Sequence, residues 1–499
     1  MNLRNLILLS TFVLGCITSA AAQSLVIGLP SNINTLDPHM SGSIGTDLTV
    51  CSHIYNSLLT RDSDLKIQPE IATSWKALDD HTWEFHLRAD VRFADGELLD
   101  SDVVRWNLQR VLDKKNNARI RPWFTSIDSV EAVSPTLLRI QTKSPFPSLP
   151  AQLTMLYLLA PRWTSTHKPA TQAMGSGPYE LREFIPGDRV VLQLRHGLPA
   201  PVPAFTTVTF RILTEPASRT FALISHEVDF VRNLSIEDLT RVNARPELSA
   251  GKLSASRATI IKFNTLRPPF KDNLNLRLAL NYAVDKATIH DTLLAGTGDV
   301  LNCQVLTPSY FGYNPALRPI PFDPVKARQL LKASGLPPKT TIDLDLPAGT
   351  YFEDDEIAQA IAGQIEEVLG IGIRIHEMDF GLYMNKYLKA RTMAPMAYIA
   401  QAWPSLDADG LLTLFAPDSP YAYWDDPPFG AALAAGNHSL DDNVRKQAYA
   451  QATQRMCEQA PVLFLFAEPL TYGINKRIRW KARPDDWTRA SDFTLVEKK

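Results

Sequence analysis

The chain is poor in cysteine, has no excess of charge of either sign and carries no long apolar run beyond its first residues. It holds four cysteines, and its formal net charge is -2 at pH 7. A net charge this close to zero leaves no basic footprint, so we expect no nucleic-acid partner. Beyond the start, no stretch approaches the roughly 18 consecutive apolar residues that a membrane span needs. We therefore predict a soluble mature chain.

The first residues resemble an export signal. Arg4 supplies the positive region, residues 6–14 the apolar region, and three alanines at 20–22 the cleavage site. A competing interpretation is a lipoprotein signal in which Cys16 is acylated. We favour cleavage after residue 22, because the triple alanine fits the rule for signal-peptide cleavage closely. The prediction is a signal peptide over 1–22 and a protein of the periplasm, with lipid anchoring at Cys16 as the alternative.

Export would leave three cysteines in an oxidising compartment, where at most one intramolecular disulfide can form. They are Cys51, Cys303 and Cys457. We prefer the pair Cys303 with Cys457, and three buried thiols are the alternative. No CxxC or Cys/His ligand spacing occurs, so we expect neither a metal site nor a cofactor.

Two hydrophobic periods alternate along the chain and predict a mixed α/β protein. Trp83, Phe85 and Leu87 alternate with polar residues, which is typical of a half-buried strand. The apolar run from Val462 to Phe466 suits a strand covered on both faces. Such strands recur at Val190 to Leu194 and at Val208 to Ile212.

Helices are equally legible. Apolar residues from Leu276 to Ala287 fall on one helical face, and Asp323 before Pro324 predicts a helix that stops at Gly335. The clearest unit is a helix over 357–368 that ends at Gly370 and leads into a strand over 371–375. That order is typical of a crossover in an α/β sheet.

No catalytic constellation is present, because the chain has no GxSxG elbow, no HExxH and no phosphate-cradling glycine loop. We therefore predict no catalytic residues and no enzyme. Asp407 and Asp409, beside Trp403, are the acidic pair with aromatic company. Ligand clefts are mostly apolar with a few placed polar groups, and rings flanked by carboxylates supply both. The alternative for each ring is packing in the core or between lobes.

Blocks along nearly the whole chain resemble the extracytoplasmic solute-binding proteins of peptide and nickel ABC importers, family 5. They lie in the order and spacing of that family. The blocks are Leu36-Asp37-Pro38, Ile54 to Leu58, Trp83 to Arg88 with Phe93-Ala94-Asp95-Gly96, Gly175 to Tyr179, Phe221-Ala222-Leu223 with Glu227-Val228-Asp229, Phe263-Asn264 with Pro268-Pro269-Phe270, and Tyr282 to Asp285.

The resemblance implies an α/β, bilobed periplasmic binding protein of type II, the large cluster C kind, with an extra N-terminal α/β domain. It implies a monomer that encloses ligand between the lobes and delivers it to the permease subunits of an ABC transporter in the inner membrane. A hinge of two segments is expected near 264–266 and 470–474. The implied domains are lobe I over 23–59, 172–265 and 475–499, the extra domain over 60–171, and lobe II over 266–474.

The loop after Trp403 bears on the ligand. In peptide receptors of this family, an aspartate three residues after that tryptophan pairs with the free amino terminus, and here the position is Leu406. Either the loop carries one insertion, with acids at Asp407 and Asp409, or the clamp is missing. A buried ammonium needs a paired charge. A receptor without the clamp should therefore prefer ligands that lack a conventional α-ammonium at that place. By analogy with the family, the candidates are a glutathione-like γ-linked peptide, a modified peptide or an opine-type conjugate, with a nickel chelate as the alternative.

The predicted ligand contacts combine aromatic rings, carboxylates, an amide and arginines able to hold a carboxylate in a bidentate fork. For each arginine, a solvated surface charge is the alternative. The predicted residues are Trp403, Asp407, Asp409, Asn264, Tyr421, Tyr423, Trp123, Arg121 and Arg391. The leading hypothesis is a receptor for a small peptide-like ligand. An exported hydrolase and a holdase chaperone are the alternatives from other classes.

Overall fold

The computed structural model describes residues 23–198 and 201–496. The predicted signal peptide, its cleavage site and Cys16 lie outside the described residues. Within those ranges, no helix combines the length and apolar character that crossing a membrane requires.

Strands and helices alternate along most of the chain, as the two hydrophobic periods predict. The strands are β1 (Ser24–Leu29), β2 (Leu59–Arg61), β3 (Ile67–Pro69), β4 (Ala72–Ala77), β5 (Thr82–Leu87), β6 (Ile127–Ser134), β7 (Leu137–Thr142), β8 (Tyr179–Ile185), β9 (Arg189–Leu194), β10 (Thr207–Ile212), β11 (Phe230–Arg232), β12 (Leu248–Phe263), β13 (Thr341–Leu346), β14 (Gly372–Glu377), β15 (Met396–Gln401), β16 (Val462–Asn475), β17 (Ile478–Trp480) and β18 (Phe493–Leu495). The α-helices are α1 (Thr49–Ile54), α2 (Ser101–Leu112), α3 (Leu149–Leu153), α4 (Pro161–Thr164), α5 (Pro216–Ile224), α6 (Ile236–Asn243), α7 (Leu274–Ala283), α8 (Lys286–Thr292), α9 (Pro324–Ser334), α10 (Asp354–Leu369), α11 (Phe380–Met384), α12 (Ala408–Thr413), α13 (Pro427–Asn437) and α14 (Asp442–Gln459).

Among the described strands, the largest sheet has the order β14-β13-β15-β12-β16-β11-β1-β10-β9-β8. Its centre is the long antiparallel pair β12 and β16. The second half of β12 pairs with β15, and the C-terminal end of β16 pairs with β11. These two long strands therefore join the two halves of the sheet. The first half is β11-β1-β10-β9-β8, and the second half is β14-β13-β15.

The pairing of β12 with β16 is irregular at two places, and one of them is the step from Thr259 to Ile260. The other is the step from Ser254 to Ala258. Ser254 faces Pro469 and Ala258 faces Ala467, and the register shifts between them. There the Ser256 N–H donates to the Pro484 carbonyl instead, at 2.8 Å. A bulge of this kind bends a strand locally.

This irregularity does not lie at the segments predicted to cross between lobes. Residues 264–266 follow the end of β12, and residues 470–474 are regularly paired with β12. Sequence periodicity locates where a strand ends, but it does not reveal a change of register inside the strand.

The apolar core is divided by the central sheet. Ile260 and Ile261 belong to different clusters, because successive side chains of a strand point to opposite faces. Along β16, Val462 and Phe464 pack on one face, and Leu463 and Leu465 on the other. The predicted strand covered on both faces is confirmed. A separate cluster joins β1, β9 and β10 to the four-stranded sheet β4-β5-β7-β6.

The predicted helix-to-strand crossover is also confirmed. Helix α10 ends where Gly370 adopts a φ of 66°, and β14 then pairs in parallel with β13. Likewise, the Asp323 side chain caps α9, and Gly335 follows its end with a φ of 68°.

The predicted continuous helix from Leu276 to Ala287 is wrong. Val284 is extended, and the Asp285 side chain caps a new helix by accepting from the Thr288 N–H at 3.1 Å. A capping aspartate inside an apolar pattern supplies a start signal that helical spacing alone does not show.

A disulfide joins Cys303 to Cys457, which lies near the end of α14. The Cys51 thiol is buried and donates to the Leu36 carbonyl at 3.4 Å. The disulfide closes a loop of 154 residues and so ties α14 to the segment before α9.

We expect the double variant Cys303→Ala/Cys457→Ala to unfold more easily than wild type, by about 2–4 kcal/mol, because a disulfide restricts the unfolded chain. Thermal unfolding with and without dithiothreitol measures this. The reductant should lower the unfolding midpoint of wild type and of Cys51→Ala, but not that of the double variant. An unchanged wild-type midpoint in reductant would contradict the prediction.

Candidate functional site

A cleft of about 810 Å³ opens between the two halves of the central sheet. The first half contributes residues 42–46, which precede and begin the turn before α1. The central strands β12 and β16 contribute Arg257 and Glu468, and the second half contributes Tyr351 and Trp403. This volume lies within the range of about 300–1,000 Å³ that is typical of small-molecule sites.

Trp403 forms part of the second-half wall and is held from two sides. The Trp403 backbone N–H donates to the Tyr310 hydroxyl at 2.7 Å. Its indole packs against Gly410 of α12, where a Cβ atom would lie 1.9 Å from Trp403 Cδ1. Only a residue without a side chain fits there, so Gly410 fixes where the ring stands.

Tyr421 lies on the same wall, as predicted for a residue of this aromatic segment. Its carbonyl accepts from the Tyr387 hydroxyl at 2.7 Å and from Lys262 Nζ at 3.1 Å. Burial lowers the pKa of Lys262 well below its usual range, and Arg391 adds to the shift. These donors lie behind the wall and hold the Tyr421 backbone in place.

The floor of the cleft carries four charged side chains, which we call the charged quartet: Arg232, Arg257, Glu468 and Asp486. Arg232 Nη2 lies 2.5 Å from Asp486 Oδ1. Arg257 Nε lies 2.8 Å from Glu468 Oε2, and its Nη2 lies 3.4 Å from Asp486 Oδ2. Two guanidinium groups and two carboxylates thus balance each other in a partly desolvated place.

The pKa values of the two carboxylates of the quartet shift in opposite directions. Burial acts to raise the pKa of Asp486, but Arg232 and Arg257 outweigh it and hold that pKa below its usual value. Burial raises the pKa of Glu468, because Arg257 compensates only partly and Asp486 lies nearby. Glu468 is therefore the less fully compensated carboxylate of the two.

Asp407 and Asp409, predicted as ligand contacts, lie outside the cleft lining. Asp407 is buried, caps α12 and forms an ion pair with Arg445 at 2.7 Å. Asp409 is buried as well and accepts a hydrogen bond from the Ser148 hydroxyl. Both carboxylates therefore have internal partners, Arg445 and Ser148, which come from elements distant in sequence.

Leu406 is 5% exposed, has a φ of 51° and belongs to the core. No acid of the loop that follows Trp403 belongs to the lining that the described residues form. The carboxylates that reach the cleft come instead from Glu468 and Asp486.

Tyr423, Arg391 and Asn264, also predicted as contacts, stand behind the cleft. The Arg391 guanidinium lies 4.4 Å from the centre of the Tyr423 ring and donates to the Ala422 carbonyl at 3.0 Å. Asn264 Nδ2 donates to the Met393 carbonyl at 3.4 Å. None of the three lines the cleft, so the geometry of the cleft does not support a ligand contact from them.

Trp123 and Arg121 also lie outside the lining. Trp123 packs near Gly42, where a Cβ atom would lie 3.6 Å from the indole, and Gly42 itself faces the cleft. Arg121 Nε donates to the Leu112 carbonyl at 3.1 Å. Of the predicted contacts, the structure thus brings Trp403 and Tyr421 together at the cleft.

The charged quartet and Gln401 were missed from the sequence. These residues stand on separate elements, and no local spacing links them. The sequence did carry one signal for two of these residues. Glu468 directly follows the apolar run that begins β16, and Arg257 directly precedes the apolar part of β12. A charge at the edge of a central strand has to face a cavity or a partner.

Within 23–198 and 201–496, no group of three or more His, Cys, Asp or Glu residues is placed to hold a metal ion.

A cleft between two halves of a sheet that share two long strands defines a binding protein of the bilobed type. The sequence pattern of "Bacterial extracellular solute-binding proteins, family 5 Middle" matches residues 66–423. The chain belongs to this family of extracellular solute-binding proteins.

Relatives support the assignment. The glutathione-binding protein GsiB of Escherichia coli (strain K12) is 27% identical over 373 residues, which cover 72% of this chain and 70% of that protein. GsiB of Pectobacterium atrosepticum is 26% identical over 495 residues, 96% of this chain and 95% of the relative.

A solved structure shows the same fold. The ABC transporter substrate-binding protein CtaP of Listeria monocytogenes superposes with a TM-score of 0.84 at 21% identity, over 95% of this chain and 100% of that chain. The predicted bilobed α/β fold is thereby confirmed.

We expect Gly410→Ala to lower the free energy of unfolding by about 1–3 kcal/mol, because the added methyl group must displace the Trp403 ring. Gly363→Ala is the matched control, since Gly363 lies inside α10 with nothing within 4 Å of its added Cβ. That control should be neutral or stabilising by up to about 1 kcal/mol. Chemical denaturation of both variants decides, and equal effects would contradict the assigned contact.

Asp409 makes stability depend on pH. Burial, and next the charge of Asp407, raise its pKa from 3.8 to about 7. Between these values the folded state binds more protons than the unfolded state, so stability falls as pH rises, and the loss is complete above about pH 7.

Asp409→Asn removes this charge and keeps an acceptor for Ser148. We expect the variant to be more stable than wild type at pH 8, by about 1 kcal/mol or more, and nearly equal at pH 4. Asp345→Asn is the contrasting control, because Asp345 pairs with Lys386 at 2.6 Å and its loss should destabilise at pH 8. Thermal unfolding at both pH values tests the pair, and destabilisation by Asp409→Asn at pH 8 would refute it.

Proposed function

We propose that the protein is the periplasmic receptor of an ABC importer, which captures a peptide or peptide-like solute between its lobes and delivers it to the membrane permease. The observation that carries the proposal is the cleft, whose lining comes from both halves of the sheet and from the two strands that join them. A ligand in such a place contacts both halves at once, so binding favours the closed arrangement.

The chemistry of the lining supports a peptide-like solute. Trp403, Tyr421 and Phe352 offer aromatic surface, and the charged quartet offers both signs of charge. A short peptide combines apolar side chains with an ammonium and a carboxylate, so it complements both parts. The relatives named as glutathione-binding proteins make a γ-linked tripeptide our first candidate. No histidine belongs to the lining that the described residues form, which favours this class over a nickel chelate.

The domain boundaries stay part of the proposal. We assign lobe I to 23–59, 172–265 and 475–499, the extra domain to 60–171, and lobe II to 266–474. We propose that the lobes turn at the irregular pairing between Ser254–Ala258 and Ala467–Pro469, because a bulge concentrates bending in a few residues.

In the proposed function, the protein works as a monomer and without catalysis. Its partners are the small ligand and the permease subunits, and it needs no cofactor. An exported hydrolase and a holdase chaperone remain the other classes, and the experiment below separates them by product formation and by suppression of aggregation.

Thermal unfolding with a ligand panel tests the function. Glutathione, Ala-Ala-Ala, an opine and a nickel-histidine chelate are added to the mature chain. A bound ligand at one hundred times its dissociation constant should stabilise the fold by about 2.7 kcal/mol. Trp403→Ala should weaken binding at least tenfold, whereas Trp163→Ala should not, because Trp163 stacks on His167 away from the cleft.

The receptor assignment requires that the bound ligand be recovered unchanged by mass spectrometry. Hydrolysis of the bound probe would point to an enzyme. Suppressed aggregation of an unfolded protein, with no shift by any small ligand, would point to a chaperone. If no panel member shifts the midpoint, the peptide-like assignment fails.

A further inference from the structure

Gln401 is a polar residue in the cleft with an unused acceptor. The residue is 6% exposed and stands at the end of β15, on the cleft lining. Its Oε1 is buried and has no hydrogen-bond partner among the described residues. A buried acceptor left without a donor costs roughly 1–3 kcal/mol, so such groups are usually satisfied in the working state of a protein.

Glu468 is a second acceptor on the same floor. Within the charged quartet, Asp486 is bound by both arginines, whereas Glu468 is bound by Arg257. An ionised carboxylate has about four acceptor positions, so Glu468 retains capacity for a further donor. Its side chain is 19% exposed, which leaves it accessible from the cleft.

Three adjacent strands of the sheet carry Gln401, Arg257 and Glu468. Gln401 of β15 is the register partner of Ala258 in β12, and Ala258 is the partner of Ala467 in β16. Neighbouring strands lie about 4.8 Å apart. Arg257 and Glu468 each lie one residue from that level, where the pairing of β12 and β16 is irregular, and all three side chains belong to the lining of the same cleft.

Charge balance then limits which ligand fits. The quartet is formally neutral, so an ammonium group alone would leave a net positive charge in a partly desolvated place, which is costly. A ligand carboxylate next to the ammonium restores neutrality. Arg257 can receive it, because its side chain is 35% exposed and is the most accessible of the quartet.

We propose that Glu468, Gln401 and Arg257 form a subsite for an α-amino-acid head group, in which ammonium and carboxylate share one carbon. Glu468 and Gln401 accept from the ammonium, and Arg257 donates to the carboxylate. This proposal rests on the proposed receptor function and deepens it.

The head group defines a ligand class. A γ-glutamyl peptide carries an ammonium and a carboxylate on the same carbon, whereas an ordinary α-linked peptide has its carboxylate at the far end. The subsite therefore selects γ-linked over α-linked peptides. It also supplies a partner for the amine in a chain where Leu406 occupies the position of the usual clamp.

Isothermal titration with three probes tests the subsite: glutathione, its α-glutamyl isomer, and glutaryl-cysteinyl-glycine, which lacks the amine. We expect wild type to bind glutathione at least tenfold more tightly than either analogue. Glu468→Gln should weaken glutathione binding at least tenfold and reduce its preference over the amine-free probe. Glu84→Gln is the matched control, because Glu84 pairs with Arg139 at 3.4 Å outside the cleft lining.

Gln401→Leu is the second variant, since it removes the free acceptor and leaves every ion pair of the quartet in place. It should lower the affinity for glutathione without lowering the unfolding midpoint of the ligand-free protein. This result keeps the proposal testable even where Glu468→Gln disturbs folding.

The outcomes separate two failures. Equal affinity of wild type for the three probes, or equal losses for all three in both variants, would overturn the subsite while the receptor function stands. Binding of Ala-Ala-Ala with no binding of glutathione would do the same. If no member of either panel bound, the receptor proposal and the subsite would both fail.

Discussion

The pairing of β12 with β16 is the constraint on which the rest of the molecule depends. These strands are the centre of the large sheet, and each has partners on its other edge from a different half. Both faces of the second half are covered by apolar side chains, so this part of the sheet cannot move without exposing them to water. The stretch between Ser254 and Ala258, where the pairing is irregular, borders the cleft.

The position of the charges follows from the same constraint. Four ionised groups in a cleft are costly to desolvate, and their mutual attraction offsets the cost only where the geometry is good. Arg257 and Glu468 come from the central strands β12 and β16, whereas Arg232 comes from β11 of the first half and Asp486 from the segment after β17. The network thus links the central strands to the first half at the cleft.

Much of the fold was predictable because periodicity reflects burial. The sequence predicted the crossover from α10 to β14 and the buried strand β16. The apolar residues of each element lie close together in the sequence and follow a helical, an alternating or a continuous pattern. The split between α7 and α8 was not anticipated, because one capping aspartate at 285 outweighed an apolar spacing that continues past it.

The site was less predictable. Trp403 and Tyr421 were found, because aromatic residues clustered in a loop are a local signal. Asp407 and Asp409 were assigned to the ligand because they stand beside Trp403 in sequence, yet their partners Arg445 and Ser148 come from remote segments. The charged quartet was missed for the same reason, since its members meet only after the sheet has formed.

Trp403 and Gly410 form one packing unit. The ring occupies the space that a side chain at 410 would need, so the ring limits the size of the residue at 410. A bulkier residue at 410 requires a smaller one at 403, and with it a reshaped cleft wall. A side chain at 410 is therefore compatible with this wall only in a homologous chain whose residue at 403 is smaller than tryptophan.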